Sequence, residues 1–230
     1  GSEKFSPDNR FAFFSSGALG WMISEEPFMK YLREHKIVDM MKLRASYGEI
    51  GDDNVGDRFL YMSQWAYGGK TNLGTTDSDK SSIYQWYRES SVGNPNVHWE
   101  KVKKVNFGLD YGFLGGLITG AVDIFHDTRT DILVMGYDRS IPSYYGQNAP
   151  VSNLGKVTTS GYELELKFNK VFANQMRLWA NFNMTHATNK IKIKDDAALL
   201  PSYRKQAGHS IGQAYTYLDK GFIQNYDELY

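Results

Sequence analysis

Trp99-Glu-Lys-Val-Lys-Lys-Val-Asn-Phe-Gly-Leu-Asp-Tyr-Gly-Phe113 is the stretch on which the reading of this chain turns. From Val105 onward it alternates without a break. Val105, Phe107, Leu109, Tyr111 and Phe113 project to one side and Asn106, Gly108, Asp110 and Gly112 to the other, because successive side chains of a strand point to opposite faces. Trp99 at one end and Tyr111 and Phe113 at the other set aromatic rings where the two interfaces of a bilayer would lie. A strand of about ten residues tilted near 45° crosses the hydrocarbon layer. The stretch therefore has the length and the ends of a membrane strand, but one strand means little without neighbours of its own kind.

The chain supplies them. Residues 11–23 place Phe11, Phe13, Leu19, Trp21 and Ile23 on one face and mostly small residues on the other. Ser24 then suits an N-cap, Glu25-Glu26-Pro27 a first helical turn, and Phe28, Tyr31, Leu32 and His35 follow at helical spacing, predicting one short amphipathic helix near 25–36. Met41, Leu43, Ala45 and Tyr47 alternate with Lys42, Arg44, Ser46 and Gly48 in a second strand that ends at Gly51. A long polar connection over 52–97 carries the aromatics Tyr61, Trp65, Tyr67, Tyr84, Trp86 and Tyr87. The opening stretch turns at Gly115-Gly116, a hairpin signal, and returns over 117–131. After a second long connection at 133–159, holding Tyr144 and Tyr145, Tyr162, Leu164, Leu166 and Phe168 oppose Glu163, Glu165, Lys167 and Asn169. A brief turn near Ala173-Asn174-Gln175 leads to Leu178, Ala180, Phe182 and Met184 against Trp179, Asn181, Asn183 and Thr185. The segment 190–210 is irregular, and 214–222 is the last strand-like run.

Connections are thus long after Gly51, short at Gly115, long after Asp131, short near Asn174 and long after Lys190. Outer-membrane barrels have this asymmetry, with tight periplasmic turns and extended extracellular loops. The pattern predicts an all-β fold: an antiparallel up-and-down meander forming part of a large transmembrane barrel. A soluble antiparallel sheet with one wet face gives the same alternation, so a soluble carbohydrate-binding β-domain is the alternative.

Composition narrows the function classes. Formal charge is zero and the pI near 7.1, which removes the electrostatic footprint of a nucleic-acid binder. No cysteine is present, which excludes thiolate metal sites and disulfides. No apolar run reaches the roughly 18 residues of a helical membrane span, whereas a mean hydropathy of −0.49 suits barrel strands, half of whose side chains face a polar lumen. The 16 Tyr, 13 Phe, 5 Trp and 22 Gly beside only 6 Pro favour strands joined by glycine turns. Gly1-Ser2 reads as a cloning scar, and 3–230 as a barrel segment excised from a longer protein, without a plug domain.

Candidate chemistry is sparse. Glu163 and Glu165, two apart on a strand, present paired carboxylates about 6.6 Å apart at Cα and invite a glycosidase reading. Lys167 continues the same face, and a polar stripe lining a lumen, shared with Asp110, Asp123, Asn181 and Asn183, accounts for them better. Asp52-Asp53-Asn54-Val55-Gly56-Asp57 tempts a calcium assignment but misses the EF-hand spacing, so an acidic turn is the reading and no metal or other cofactor is expected. The histidines are scattered, without an i, i+4 pair, and no nucleophile elbow or phosphate loop occurs. No enzyme is expected. The loop aromatics Trp65, Trp86, Tyr87, Tyr144 and Tyr145 are the remaining candidates, as rings that stack on sugars or meet a partner subunit.

Several stretches resemble one family. Gly17-Ala-Leu-Gly-Trp-Met-Ile-Ser-Glu-Glu26-Pro-Phe28, then Ile37-Val-Asp-Met-Met-Lys-Leu-Arg-Ala-Ser-Tyr-Gly48, Asn94-Pro95 with Trp99-Glu100, Asn106-Phe-Gly-Leu-Asp110, residues 123–133, Asn153-Leu-Gly155 and Gly161-Tyr-Glu163 follow in the order found in SusC/RagA-type TonB-linked outer-membrane proteins. The resemblance implies part of a barrel of roughly 22 strands in the outer membrane of a Gram-negative bacterium. Such a barrel imports glycans or peptides, driven by the TonB complex through an N-terminal part absent here and lidded by a SusD-like surface lipoprotein. Asp52 stands where the family carries asparagine, a departure confined to local loop contacts.

Overall fold

The computed structural model describes residues 1–70, 84–219 and 221. Among the described residues eight strands form: β1 (Ser16–Met22), β2 (Val38–Asp52), β3 (Gln64–Lys70), β4 (Gln85–Ser91), β5 (Glu100–Phe113), β6 (Ile118–Val134), β7 (Ser152–Val171) and β8 (Arg177–Ile193). Six of them make one antiparallel sheet in the order β1-β2-β5-β6-β7-β8, and β3 pairs with β4 in a separate ribbon. The meander is therefore present, and the sheet is not closed into a barrel.

Register shows why it holds. Directly opposed residues of antiparallel strands share a face. Trp21, Leu43, Leu109, Val122, Leu164 and Met184 lie in one row across all six strands. Leu19, Ala45, Phe107, Ile124, Tyr162 and His186 make the next. On the reverse face Arg44, Gly108, Asp123, Glu163 and Thr185 are abreast, followed by Lys42, Asp110, Ala121, Glu165 and Asn183. A one-residue slip of any strand would exchange its faces, so the alternation itself fixes the pairing. Phe107 and Ile124 are each 60% exposed. An apolar band of this breadth needs a covering that water does not provide.

The turns are made by local backbone chemistry. At 114–117 the chain reverses through Leu114, Gly115 and Gly116, all at positive φ, where glycine costs least. Asp39 accepts the Gly116 N–H at 2.8 Å and steadies the turn. The helix expected near 25–36 is shorter than its pattern: 3-10 turns at Ile23–Glu25 and Pro27–Met29 precede one α-helical turn, α1 (Lys30–Glu34). Pro27 is the cause, since the residue before a proline avoids the helical region and Glu26 sits at φ −68°, ψ 149°. Ser24 makes no capping hydrogen bond and is buried instead.

Several boundaries move. β1 starts at Ser16 and leaves Phe11 and Phe13 outside the strand. β6 and β7 run on to Val134 and back to Ser152, so the connection expected over 133–159 contracts to 135–151. The expected connection 52–97 contains the β3–β4 ribbon. The run expected as a strand over 214–222 has no regular structure in 214–219, and Phe222 lies outside the described residues.

The buried core lies at the end of the sheet where the long connections gather. Phe5, Val55 and Val97 are almost fully enclosed, with Leu60, Trp99, Leu133 and Val151 packed around them. Phe5 and Phe14 flank Trp99 at centroid distances of 5.3 and 5.7 Å. Trp99 is therefore a core residue of the loop end rather than a free interface ring. No helix among the described residues is long and apolar enough to cross a membrane, which leaves strands untouched by that test.

Candidate functional site

The polar face carries two ion clusters. In the first, Arg44 Nε and Nη2 donate to Asp110 Oδ2 and Oδ1 at 3.0 and 2.9 Å, and Nη2 also reaches Asp123 Oδ2 at 3.0 Å. The guanidinium bridges β2, β5 and β6 by passing over Gly108. A Cβ there would lie 2.6 Å from Asp123 Oδ1 and 2.7 Å from Arg44 Cζ, so the bridge in this position needs the space that glycine leaves. In the second, Arg129 Nε donates to Glu100 Oε2 at 2.8 Å and Nη2 to Asp52 Oδ2 at 2.8 Å, with a further contact from Nη2 to Glu100. Glu100, almost wholly buried, also accepts the Leu133 N–H at 3.0 Å. Buried carboxylates need such compensation.

All six polar residues expected on one face share it. Asp110 and Asp123 are joined through Arg44, Glu163 stands beside Asp123, Glu165 pairs with Lys167 at 2.6 Å, and Asn181 and Asn183 follow on β8. The two glutamates are side by side on one strand, and Lys167 occupies one of them. In the acidic turn, the Asp52 carboxylate is taken by Arg129 and by the Asn54 N–H. Among the described residues no group of three or more His, Cys, Asp or Glu could hold a metal ion.

The loop aromatics are divided. Trp65, Tyr67 and Tyr87 share one face of the β3–β4 ribbon, Tyr67 and Tyr87 meeting edge-on at 5.8 Å. Trp86 lies on the other face against Gly68, where a Cβ would fall 2.5 Å from its ring. Tyr144 and Tyr145 sit apart on a 3-10 turn of the 135–151 loop, with Tyr144 almost wholly exposed.

The outer connections are tied together by groups to which the sequence reading gave no role. Asn153 donates to the carbonyls of His98 and Asp131 and accepts the His98 N–H. Arg139 donates to Asp195 Oδ2 at 2.8 Å and to the Pro150 carbonyl at 2.9 Å, while the Ser140 N–H adds a bond to the same carboxylate. The Arg139 guanidinium, foremost, holds the Asp195 carboxyl below its ordinary range, burial opposing it. Beyond β8 the chain doubles back. Ile191 exchanges backbone hydrogen bonds with Gly208 and His209 at 2.8 Å, and Asn189 accepts from Ser210 and Ile211. This 206–215 strap lies over the upper end of the polar face and forms one side of an open cavity of about 870 Å³. An alternating charge pattern on β2 would have pointed to Arg44, but the strap and the Arg139 tether join distant residues and leave no local periodic signal.

A six-stranded meander with a charged face, an apolar face and the connections 53–99 and 135–151 at one end is the wall of a large outer-membrane β-barrel. A family model described as "TonB dependent receptor-like, beta-barrel" matches residues 2–226, and the chain belongs to that family, one of the outer membranes of Gram-negative bacteria. The TonB-dependent receptor SusC of Bacteroides thetaiotaomicron is 32% identical over 192 residues, covering 83% of this chain and 18% of that protein. A TonB-dependent receptor of Formosa agariphila is 27% identical over 233 residues, 99% of this chain and 20% of its own. Among solved structures, the RagAB peptide importer in its "closed-closed" state superposes with a TM-score of 0.69 at 24% identity, over 90% of this chain and 22% of the other. Its "open-open" state gives 0.66 at 25% identity, over 83% and 19%. The chain thus spans about a fifth of the length of these relatives.

Proposed function

We propose that this chain is a wall segment of a TonB-dependent outer-membrane transporter that imports oligosaccharides or short peptides. In this reading it works with a SusD-like surface lipoprotein over its mouth and the TonB complex on its periplasmic side. The supporting observation is the continuous division of the sheet into an apolar face and a face with two charge clusters, with the connections 53–99 and 135–151 at one end and the tight turns near 114–117 and 172–176 at the other. Lipid covers the first face, the polar face lines the lumen, and the outer loops meet substrate and lipoprotein. The segment acts as a conduit, not an enzyme. Trp65, Tyr67 and Tyr87, grouped on one ribbon face, are better placed for stacking or partner contact than Trp86, which is engaged with Gly68.

Single-cysteine substitutions in the full-length protein test the orientation. Phe107, Leu109, Leu164 and Leu166 positions should react only with membrane-soluble maleimides, and Asp110, Glu163 and Asn183 positions with water-soluble ones. The reverse pattern overturns the reading.

A further inference from the structure

We propose that the outward face of β5 to β8, just above the apolar band, binds a phosphorylated glycolipid of the outer leaflet, with its phosphates on a row of lysines and an acyl chain in the groove below; the inference rests on the transporter reading, which turns this face to lipid. The strand register sets Glu49, Lys103, Thr128, Thr158 and Lys190 abreast. Alternation places that row on the face of Phe107 and Ile124, four residues further up β5 and β6. Lys101 and Thr130, paired with each other, stand one step higher on the same face. Lys192 belongs with them, because Ile191 and Ile193 on either side of it both line the cavity on the opposite face.

Charge in these rows is not balanced. The lumen-side cations of β5 and β6, Lys104 and Arg129, each meet a carboxylate. On the outward side four lysines share one: Glu49 reaches Lys103 at 3.5 Å and also accepts the Tyr47 hydroxyl at 2.7 Å. Lys101, Lys190 and Lys192 have no ion-pair partner among the described residues, and all three are exposed. Lys103 and Lys190 stand three strands apart, about 14 Å at the usual strand spacing, with the hydroxyls of Thr128 and Thr158 between them. Cations at both ends of a hydroxyl floor suit a sugar headgroup with a phosphate at either end, each phosphate taking charge-assisted hydrogen bonds from lysine. A zwitterionic headgroup would leave the positive excess uncompensated.

The groove makes this a lipid site rather than a phosphate site. Leu19, Ala45, Phe107 and Ile124 lie in one row beneath the lysines. There the methyl of Ala45 separates two larger side chains, Leu19 at 81% and Phe107 at 60% exposure, and the dip between them is an open groove of about 590 Å³ bordered below by Trp21 and Leu43. An acyl chain laid in it buries apolar area on both partners. Tyr47, between the groove and the lysines, is an aromatic residue at the level where ring and headgroup meet. Phe107 in the groove and Lys103 above it are on one strand, so a single lipid reaches both.

The test uses the full-length transporter in detergent with three probes: bisphosphorylated lipid A, the same lipid with both phosphates removed, and phosphatidylglycerol. In native mass spectrometry lipid A should bind in preference to phosphatidylglycerol and resist displacement by inorganic phosphate. K101Q/K190Q/K192Q should weaken lipid A by about tenfold or more and leave the dephosphorylated lipid unchanged, whereas A45F should weaken both. Circular dichroism and elution volume confirm that each variant is folded. Unchanged lipid A binding in the lysine variant, equal loss of both lipid A forms, phosphatidylglycerol bound as tightly, or displacement by inorganic phosphate would overturn the inference. A cysteine at position 107 that still reacts only with membrane-soluble maleimides would then show that the transporter reading survives, whereas reaction with water-soluble ones would remove both.

Discussion

Replacing Gly108 by alanine probes the Arg44 bridge through one methyl group. That methyl would stand 2.6 Å from Asp123 Oδ1 and 2.7 Å from Arg44 Cζ, inside any real contact, so the ends of the Arg44 and Asp123 side chains must shift away from it. Three charge-assisted hydrogen bonds of 2.9–3.0 Å are then lost or bent. A solvent-exposed ion pair contributes about 0.2–1 kcal/mol, and breaking a buried one costs about 3–5 kcal/mol. The Arg44 side chain is 36% exposed, Asp110 25% and Asp123 17%, which sets the cost between these limits at about 2 kcal/mol. Arg44→Met should cost about the same, because it leaves Asp110 and Asp123 facing one another uncompensated. The two effects share one mechanism, so G108A with R44M should be clearly less than additive, and R44M/D110N/D123N should recover at least half of the loss. Urea titration of the full-length protein refolded in lipid vesicles, followed by tryptophan fluorescence, measures all of these. A fully stable G108A, strict additivity with R44M, or a triple variant as unstable as R44M would each refute the bridge as described.

Other consequences follow from the loop end. Phe5→Ala empties the centre of the small core and should cost about 3 kcal/mol, read as a lower urea midpoint and faster proteolysis of the connections it pins; an unchanged cleavage pattern would count against that core. The lowered Asp195 carboxyl gives a signed pH dependence: its tether to Arg139 contributes stability above the ordinary carboxylate pKa of about 4 and loses it as pH falls through the lower folded value. Hydrogen exchange over 136–150 should therefore match between wild type and D195N only at the most acidic pH and diverge above it, with D195N the faster. Trp86→Ala should loosen the β3–β4 ribbon, whereas Trp65→Ala should leave it intact and weaken only ligand or lipoprotein binding. Exchange rates in the ribbon together with a pull-down separate the two.

The part of the fold that could be read from the sequence is the part the bilayer constrains. Wherever one face must be apolar and the other polar, as in Val105 to Phe113 or Tyr162 to Phe168, alternation is enforced and each strand shows itself. Above that band both faces are wet and the rule lapses. Ser152 to Ser160 is almost uniformly small or polar apart from Leu154 and Val157, and so reads as loop although it is the first half of β7. The β3–β4 ribbon was hidden for a related reason: Gly68-Gly69 breaks its period at a register shift. Proline shortened the helix through Glu26, a backbone effect that the apolar spacing of Phe28, Tyr31 and Leu32 does not reveal. The polar stripe was legible residue by residue, but its joining by Arg44 required the register of three strands. The cavity beside the strap required a fold-back of the chain that no periodicity encodes.

The reach of β7 has a mechanical meaning. Its apolar face ends near Tyr162, yet the strand continues up to Ser152, a further stretch of about 33 Å along its axis, or roughly 25 Å of height at the tilt of such barrels. β5 and β6 rise alongside it, cross-braced by Arg129 and capped by the core around Phe5. The loops are thus carried on a stiff collar instead of resting at the lipid surface. In the proposed transporter, ligand and lipoprotein would be met at a fixed height above the hydrocarbon, and a force at the rim would pass down the paired strands β5 to β8, whose ladder shifts register only between Arg129 and Leu133 and between Lys156 and Val157.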